Sequence, residues 1–183
     1  MSRDDRIIQG WVDAVKGILG REPREGVEVG VWKGQFSRRA LKQFPELHLL
    51  MVDPYLPYED KLGRKPIDDI LEAMKEAVSS TMFAAERRML WTTLSAIACK
   101  YVADFSCDWI YIDANHSEES VTLDWHYWYP KVKIGGVFGG HDYNGRGDRT
   151  GTFGVKKAVD REAGKLGLKV TETYQHVWFV KKS

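Results

Sequence analysis

The chain has 183 residues, with 27 Lys and Arg against 26 Asp and Glu and a formal net charge of +1. That length suits one domain with a sizeable core, and the balanced charge argues against a dedicated nucleic-acid binder, which carries a basic excess or stripe. The two cysteines, Cys99 and Cys107, fit neither a disulfide scaffold nor a cysteine-rich zinc site. The opening MSRDDRIIQGW is charged and lacks the apolar core of a signal peptide. No apolar run approaches the ~20 residues of a membrane span, so the expectation is a soluble, cytoplasmic protein.

Residues 4–19 read as an amphipathic helix. Ile7, Trp11, Val15 and Ile18 recur at helical spacing, Asp4 and Asp5 suit the positive N-terminal end, and Gly20 is a stop. Gly26–Val31 is a β-type run entering a glycine turn, Gly30 to Gly34. Phe36, Ala40, Leu41 and Phe44 then share one helical face until Pro45 ends it. Strand, glycine loop and helix can present backbone N–H groups to a ligand; the same glycines also serve a plain tight turn. Leu47–Val52 is a nearly continuous apolar strand, as burial on both faces requires, and it ends in Asp53. An acidic residue about 20 positions beyond a glycine turn can accept hydrogen bonds from both hydroxyls of a ribose. Glu28, Gly30, Gly34 and Asp53 together favour that reading over a simple Asx turn.

Residues 54–65 form a polar, aromatic, turn-rich loop, and Pro66 with Asp68 and Asp69 opens a helix striped by Ile67, Ile70, Leu71, Met74 and Val78. The insertion 54–85 is a candidate substrate wall. Arg88–Thr92 reads as a third strand, and Ser95 as the N-cap of a short helix, in a turn that often lies near the base of a bound nucleotide. Asp108–Ile112 is a fourth strand that opens onto Asp113, Asn115 and His116. Ser117 caps the next helix, Glu118 and Glu119 lie in its first turn, and Val121, Trp125 and Trp128 mark its core face. Gly135-Gly136 precedes a fifth strand, which passes through Gly139-Gly140 to His141 and Asp142.

Two parallel strands joined by a crossover helix bring their polar tips to one edge of a sheet, and open α/β sheets bind ligands there. Asp113, His116, His141 and Asp142 are therefore expected to form one site. Residues 143–152 hold three glycines and few apolar side chains, which suits a segment that closes over a substrate. A helix over 153–165 and strands over 168–173 and 176–180 complete the chain.

Glu28-Val29-Gly30-Val31-Trp32-Lys33-Gly34, followed by Met51-Val52-Asp53-Pro54-Tyr55, resembles the first two motifs of class I S-adenosylmethionine-dependent methyltransferases. Ile110 to Ser117 and Gly135 to Tyr143 resemble one branch of them, the small-molecule O-methyltransferases that include macrolide-sugar enzymes (methyltransferase family 24). That branch is itself similar to metal-dependent catechol-type enzymes. Phe153 to Asp160 is similar to the family's following helix, so the likeness covers roughly residues 24–180.

The resemblance implies an α/β fold in a single domain over 1–183: a Rossmann-like three-layer sandwich with a seven-stranded, mostly parallel sheet and an antiparallel last strand. It implies S-adenosylmethionine as cofactor, with Gly30, Lys33 and Gly34 near its methionine part, Glu28 holding the turn, Asp53 on the ribose diol and Ser95 beside the adenine. Asp113 would serve both the cofactor site and a divalent cation such as Mg²⁺, with His141 and Asp142 as further ligands. His116 matches the general base. One departure stands out: position 141 is His where metal-binding relatives carry a carboxylate. Hard cations prefer oxygen, so Mn²⁺, Fe²⁺ or no metal stay open.

The expected reaction is methylation of a hydroxyl on a small molecule, a sugar or glycoside or a catechol-like diol, with no membrane or nucleic-acid partner; a homo-oligomer is left open. A nicotinamide-dependent oxidoreductase is the first alternative, but Gly30-x-x-x-Gly34 lacks the G-x-G-x-x-G spacing. A non-catalytic S-adenosylmethionine-binding module is the second; it would bind cofactor and transfer no methyl group.

Overall fold

In a computed structural model the described residues are 3–57, 59–60, 63–64, 66–144 and 154–183. Seven strands make the main sheet: β1 (Glu25–Val29), β2 (His48–Val52), β5 (Arg88–Trp91), β6 (Cys107–Ile112), β7 (Val132–Gly140), β8 (Thr171–Glu172) and β9 (Trp178–Lys181). β3 (Glu59–Asp60) and β4 (Gly63–Arg64) form a small separate hairpin inside the insertion. The order across the main sheet is β5-β2-β1-β6-β7-β9-β8. Its first five members are mutually parallel, and β9 runs antiparallel to both β7 and β8. The α/β sandwich with one reversed strand is therefore the architecture that the motif order implied.

The helices are α1 (Arg3–Leu19), α2 (Gln35–Gln43), α3 (Ile67–Ser80), the short α4 (Ser95–Ala98), α5 (Glu118–Trp128) and α6 (Val155–Lys165). All six residues of β6 are buried because helices cover both sheet faces, which explains its apolar run Trp109–Ile112. Its side chains alternate between two cores. Trp109 and Tyr111 join Trp11, Phe36, Leu41 and Met51 under α1, α2 and α3. Ile110 and Ile112 join Trp125, Trp128, Phe138 and Val159 under α5 and α6. Trp11 is fully buried against Trp109 and Tyr111, with ring centroids 5.8 and 4.9 Å away. Removing a ring of that size from water stabilises α1 on the sheet by about 5 kcal/mol before entropy is subtracted.

The start of the central strands is pinned by one carboxylate. Asp108, fully buried, accepts from Arg21 Nη2 at 2.6 Å, Lys133 Nζ at 2.8 Å and the backbone N–H groups of Arg24 and Glu25 at 2.6 and 3.0 Å. Burial alone would raise its pKa, but these donors outweigh that and hold it well below the usual carboxylate range.

Several boundaries differ from the sequence reading. β7 begins at Val132 instead of after Gly135-Gly136, and the two last strands shrink to Thr171–Glu172 and Trp178–Lys181. Leu94 takes the N-cap position of α4, so Ser95 is its first helical residue and caps nothing. Ser117 does cap α5, accepting from Ser120 N at 3.2 Å. The glycine-rich segment 143–152 lies outside the described residues beyond Asn144. Among the described residues no helix is long and apolar enough to cross a membrane.

Candidate functional site

The chain runs outward from β1 through β2 to β5 and then crosses back to β6, so the sheet's topological switch point lies between β1 and β6. Ligands of open α/β sheets bind in the crevice outside the strand ends at such a point. Gly30 and Asp113 follow directly on those two strands. The ladder continues one step past them through Asp113 N to Val29 O at 2.8 Å and His141 N to Ile112 O at 3.2 Å. Gly30 has φ +90°, and a Cβ there would stand 2.2 Å from the carbonyl oxygen of Asp113. The glycine is needed because the end of β6 passes that closely.

Around this crossing the turn is braced on three sides. From below, Ser37 donates to the buried carboxylate of Glu28, whose pKa burial pushes well above the usual range, with the charges of Asp113 and Asp53 adding to the push. From above, Gly34 at φ +71° packs so tightly on α3 that a Cβ would sit 2.8 Å from Ala77 Cα. From the side, Asp53 Oδ2 accepts from Val31 N at 3.0 Å and Trp32 N at 2.9 Å, while Oδ1 accepts from Tyr55 N at 2.9 Å. Asp53 thus serves the protein as well as any ligand. A carboxylate offers about four acceptor directions, and main-chain donors take three of them.

The other expected cofactor contacts divide. Lys33 turns toward α3 and pairs with Glu76 at 3.1 Å. Ser95 faces the interior, donating to Asp124 and accepting from Trp128 Nε1 at 2.8 Å, so its hydroxyl is committed to the α4–α5 junction.

The second half of the site is at the tips of β6 and β7. His116 Nε2 stands 3.2 Å from Asp113 Oδ1 and 3.3 Å from Asp142 Oδ2. His141 Nδ1 is 3.4 Å from Asp142 Oδ2 and 4.0 Å from Asp113 Oδ2. The four residues expected to meet do meet. One ligand atom each from Asp113, His141 and Asp142 falls within 4.8 Å of the others. A six-coordinate ion about 2.1 Å from each ligand holds neighbouring donors roughly 3–4 Å apart, so this set could hold a cation after small side-chain movements. Two carboxylates and one imidazole suit Mn²⁺ or Fe²⁺ better than a purely oxygen-loving ion. Burial lowers the pKa of His116, but the hydrogen bond to Asp113 and the charges of Asp113 and Asp142 more than offset this, and the net shift is upward.

Neighbouring side chains hold these tips in place. Asp142 adopts φ +56°, an unusual conformation that Asp tolerates better than most residues. Trp178 Nε1 donates to the carbonyl of His141 at 3.1 Å. Tyr143 N donates to His176 O at 3.0 Å, and its hydroxyl donates to Asp160, which also receives Lys156 Nζ at 2.8 Å. Gly154 N donates to the carbonyl of His116 at 2.9 Å. The sequence reading did not single out Trp32, Tyr55, Tyr143 or Trp178. Positive φ at a non-glycine residue leaves no mark in a sequence, and a buried indole donor looks like any core aromatic.

Comparison with known proteins agrees with this geometry. Residues 27–143 match the model of a family described as a methyltransferase domain, family 24. Among curated protein sequences none matches. The fold is shared with cofactor-bound Rv0187 from MTB (TM-score 0.67, 13% identity, covering 93% of this chain and 77% of that one). It is shared with the O-methyltransferase TomG from Streptomyces achromogenes in complex with SAM (TM-score 0.64, 13% identity, 94% and 78% covered). It is shared also with an O-methyltransferase from Bacillus cereus in complex with SAH (TM-score 0.62, 14% identity, 94% and 79% covered). The family match spans both halves of the site, from the strand before Gly30 to the residue after Asp142, and the chain belongs to the class I S-adenosylmethionine-dependent methyltransferases of family 24.

Proposed function

We propose that this enzyme methylates a hydroxyl of a small-molecule diol, a sugar or glycoside or a catechol-like ring, in the cytoplasm. The observation that carries the reading is the position of His116 Nε2, 3.2 and 3.3 Å from two carboxylates at the edge where the glycine turn meets β6. The methyl donor fits the turn: positive-φ glycines let the turn pack against β6 and α3, Glu28 supports the strand end, and Asp53 keeps one acceptor direction for a ribose hydroxyl. The side chains of Lys33 and Ser95 are engaged with Glu76 and Asp124, which leaves the donor to the turn and Asp53.

The chemistry asks for alignment and proton removal. The acceptor oxygen must stand about 3 Å from the methyl carbon and in line with the carbon–sulfur bond. As the new oxygen–carbon bond forms and the carbon–sulfur bond breaks, the hydroxyl proton passes to His116. His116, raised by Asp113 and Asp142 above the ordinary histidine value near 6.5, must be neutral to act as base, and a cation on those carboxylates would offset their pull on its proton. Asp113, His141 and Asp142 would hold a divalent cation, and such an ion would supply Lewis-acid chemistry that favours loss of the acceptor's proton.

Two measurements test this reading. S-adenosylhomocysteine should raise the melting temperature and NAD⁺ should not. A panel of glycosides and catechols should then give a methylated product that disappears when divalent cations are chelated. Stabilisation by NAD⁺ alone would replace the reading with the oxidoreductase. Tight cofactor binding without transfer to any diol, with or without cation, would leave a binding module.

A further inference from the structure

The hydrogen bond between Tyr55 and Trp32 belongs to neither the donor site nor the acceptor site as described. Tyr55 Oη donates to the main-chain carbonyl of Trp32 at 2.8 Å, and the phenol is buried. Both partners have left-handed backbones, Trp32 at φ +49° and Tyr55 at φ +45°. Such values are costly for bulky side chains and persist only where the surroundings over-determine them. The two residues sit on facing loops, one after β1 and one after β2, with the carboxylate of Asp53 between them. That carboxylate takes Trp32 N at 2.9 Å on one oxygen and Tyr55 N at 2.9 Å on the other. The loops are therefore stitched twice, once through Asp53 and once through the phenol.

We infer that Tyr55 is a positioning residue for the cofactor: its hydroxyl holds residue 32 in the left-handed conformation and so keeps the Gly30–Gly34 turn in the shape that receives the donor. Asp53 Oδ2 holds the consecutive N–H groups of Val31 and Trp32 at 3.0 and 2.9 Å, and the left-handed φ of residue 32 sets how the chain leaves that anchored pair toward Lys33 and Gly34. The Trp32 carbonyl is turned to the other side, where the phenol takes it. Were Trp32 to relax to negative φ, its carbonyl would swing off the phenol and the Lys33–Gly34 half of the turn would rotate relative to the N–H pair that Asp53 holds, so the turn would no longer present one fixed surface to the donor. A tyrosine is required because the donor must be a hydroxyl on a rigid stem long enough to cross from one loop to the other.

The inference rests on the donor site proposed above, and a double-mutant cycle in calorimetric titration with S-adenosylhomocysteine separates the two. Tyr55→Phe removes only the hydroxyl and should weaken binding roughly tenfold, about the loss of one hydrogen bond that holds the turn ready for the donor. At saturating S-adenosylmethionine its turnover should stay within about twofold of wild type, because the reacting groups are untouched. Glycine adopts positive φ freely, so in a Trp32→Gly background the same Tyr55→Phe change should cost less than about twofold. A purely structural hydroxyl would lower the melting temperature equally in both backgrounds and leave affinity well below that temperature unchanged; that result overturns the inference. An equal affinity loss in both backgrounds overturns it too, since the hydroxyl would then act on the ligand and not on residue 32. If Trp32→Gly proves unfolded by circular dichroism, Trp32→Asn, which tolerates the left-handed region, takes its place in the cycle. Failure of wild-type protein to bind S-adenosylhomocysteine would instead refute the donor site itself.

Discussion

Gly30→Ala should damage both halves of the site with one methyl group. The new Cβ would lie 2.2 Å from Asp113 O, 2.5 Å from Asp113 C and 2.7 Å from Ala114 N, all of them main-chain atoms. No rotamer relieves such contacts, so the end of β6 must retreat by about 1 Å to restore a normal separation. The φ of +90° adds a backbone penalty of about 1–2 kcal/mol for a residue with a Cβ. Overpacking adds about 1–3 kcal/mol. Together they amount to about 2–5 kcal/mol, or a fall in melting temperature of roughly 5–20 °C for a chain of this size. Because the retreating segment carries Asp113, cation affinity and S-adenosylhomocysteine affinity should fall together, measured by calorimetry well below the melting point. Gly17→Ala is the control: it lies inside α1 with nothing within 4 Å of its Cβ position, and it should be stabilising by up to about 1 kcal/mol. A Gly30→Ala protein that melts like wild type and binds both ligands normally would refute the idea that β1 and β6 meet there to build one site.

The remaining predictions concern how the scaffold is held. Asp108→Ala strands two backbone N–H groups and Lys133 at the start of the central strands, and should cost about 3–5 kcal/mol in urea unfolding. The folded pKa of Asp108 is depressed, so its contribution is present above the unfolded value and is lost as the pH falls below about 4; an acid-unfolding curve identical to that of Asp108→Ala would contradict this. Asp124 behaves in the opposite sense. Burial pushes its carboxyl up to about 6, against the hydrogen bond from Ser95, so the folded state binds the proton more tightly. Stability should decline by about 3 kcal/mol between pH ~4 and ~6 on this account, and Asp124→Asn should flatten that slope. An unchanged slope in the variant would assign the dependence elsewhere.

Much of the fold could be read from the residues because the physical signals were local. The continuous apolar run of β2 and the buried β6 announce a sheet covered on both faces, and Ser117 with Glu118 and Glu119 announces a helix start. The meeting of Asp113, His116, His141 and Asp142 followed from the parallel crossover that places two strand tips side by side. Side-chain direction was less accessible. Ser95 looks like a cap in the sequence, yet its hydroxyl is taken by Asp124 and Trp128, residues 29 and 33 positions away. Asp53 was legible as an acidic residue at the right spacing, but its bonds to Val31, Trp32 and Tyr55 depend on two left-handed aromatic residues that no periodicity reports.

The central claim is that His116 removes the acceptor's proton at an edge where Asp113 and Asp142 also lie. Transfer of a tritiated methyl group from S-adenosylmethionine to the best diol of the acceptor panel tests it most directly, with wild-type and His116→Ala proteins compared in the presence of divalent cation. The account predicts a loss of turnover of about 10²–10⁴-fold in His116→Ala, the usual contribution of a general base, with S-adenosylhomocysteine affinity within about twofold of wild type. A His116→Ala enzyme that binds the cofactor and still transfers the label at the wild-type rate would contradict it.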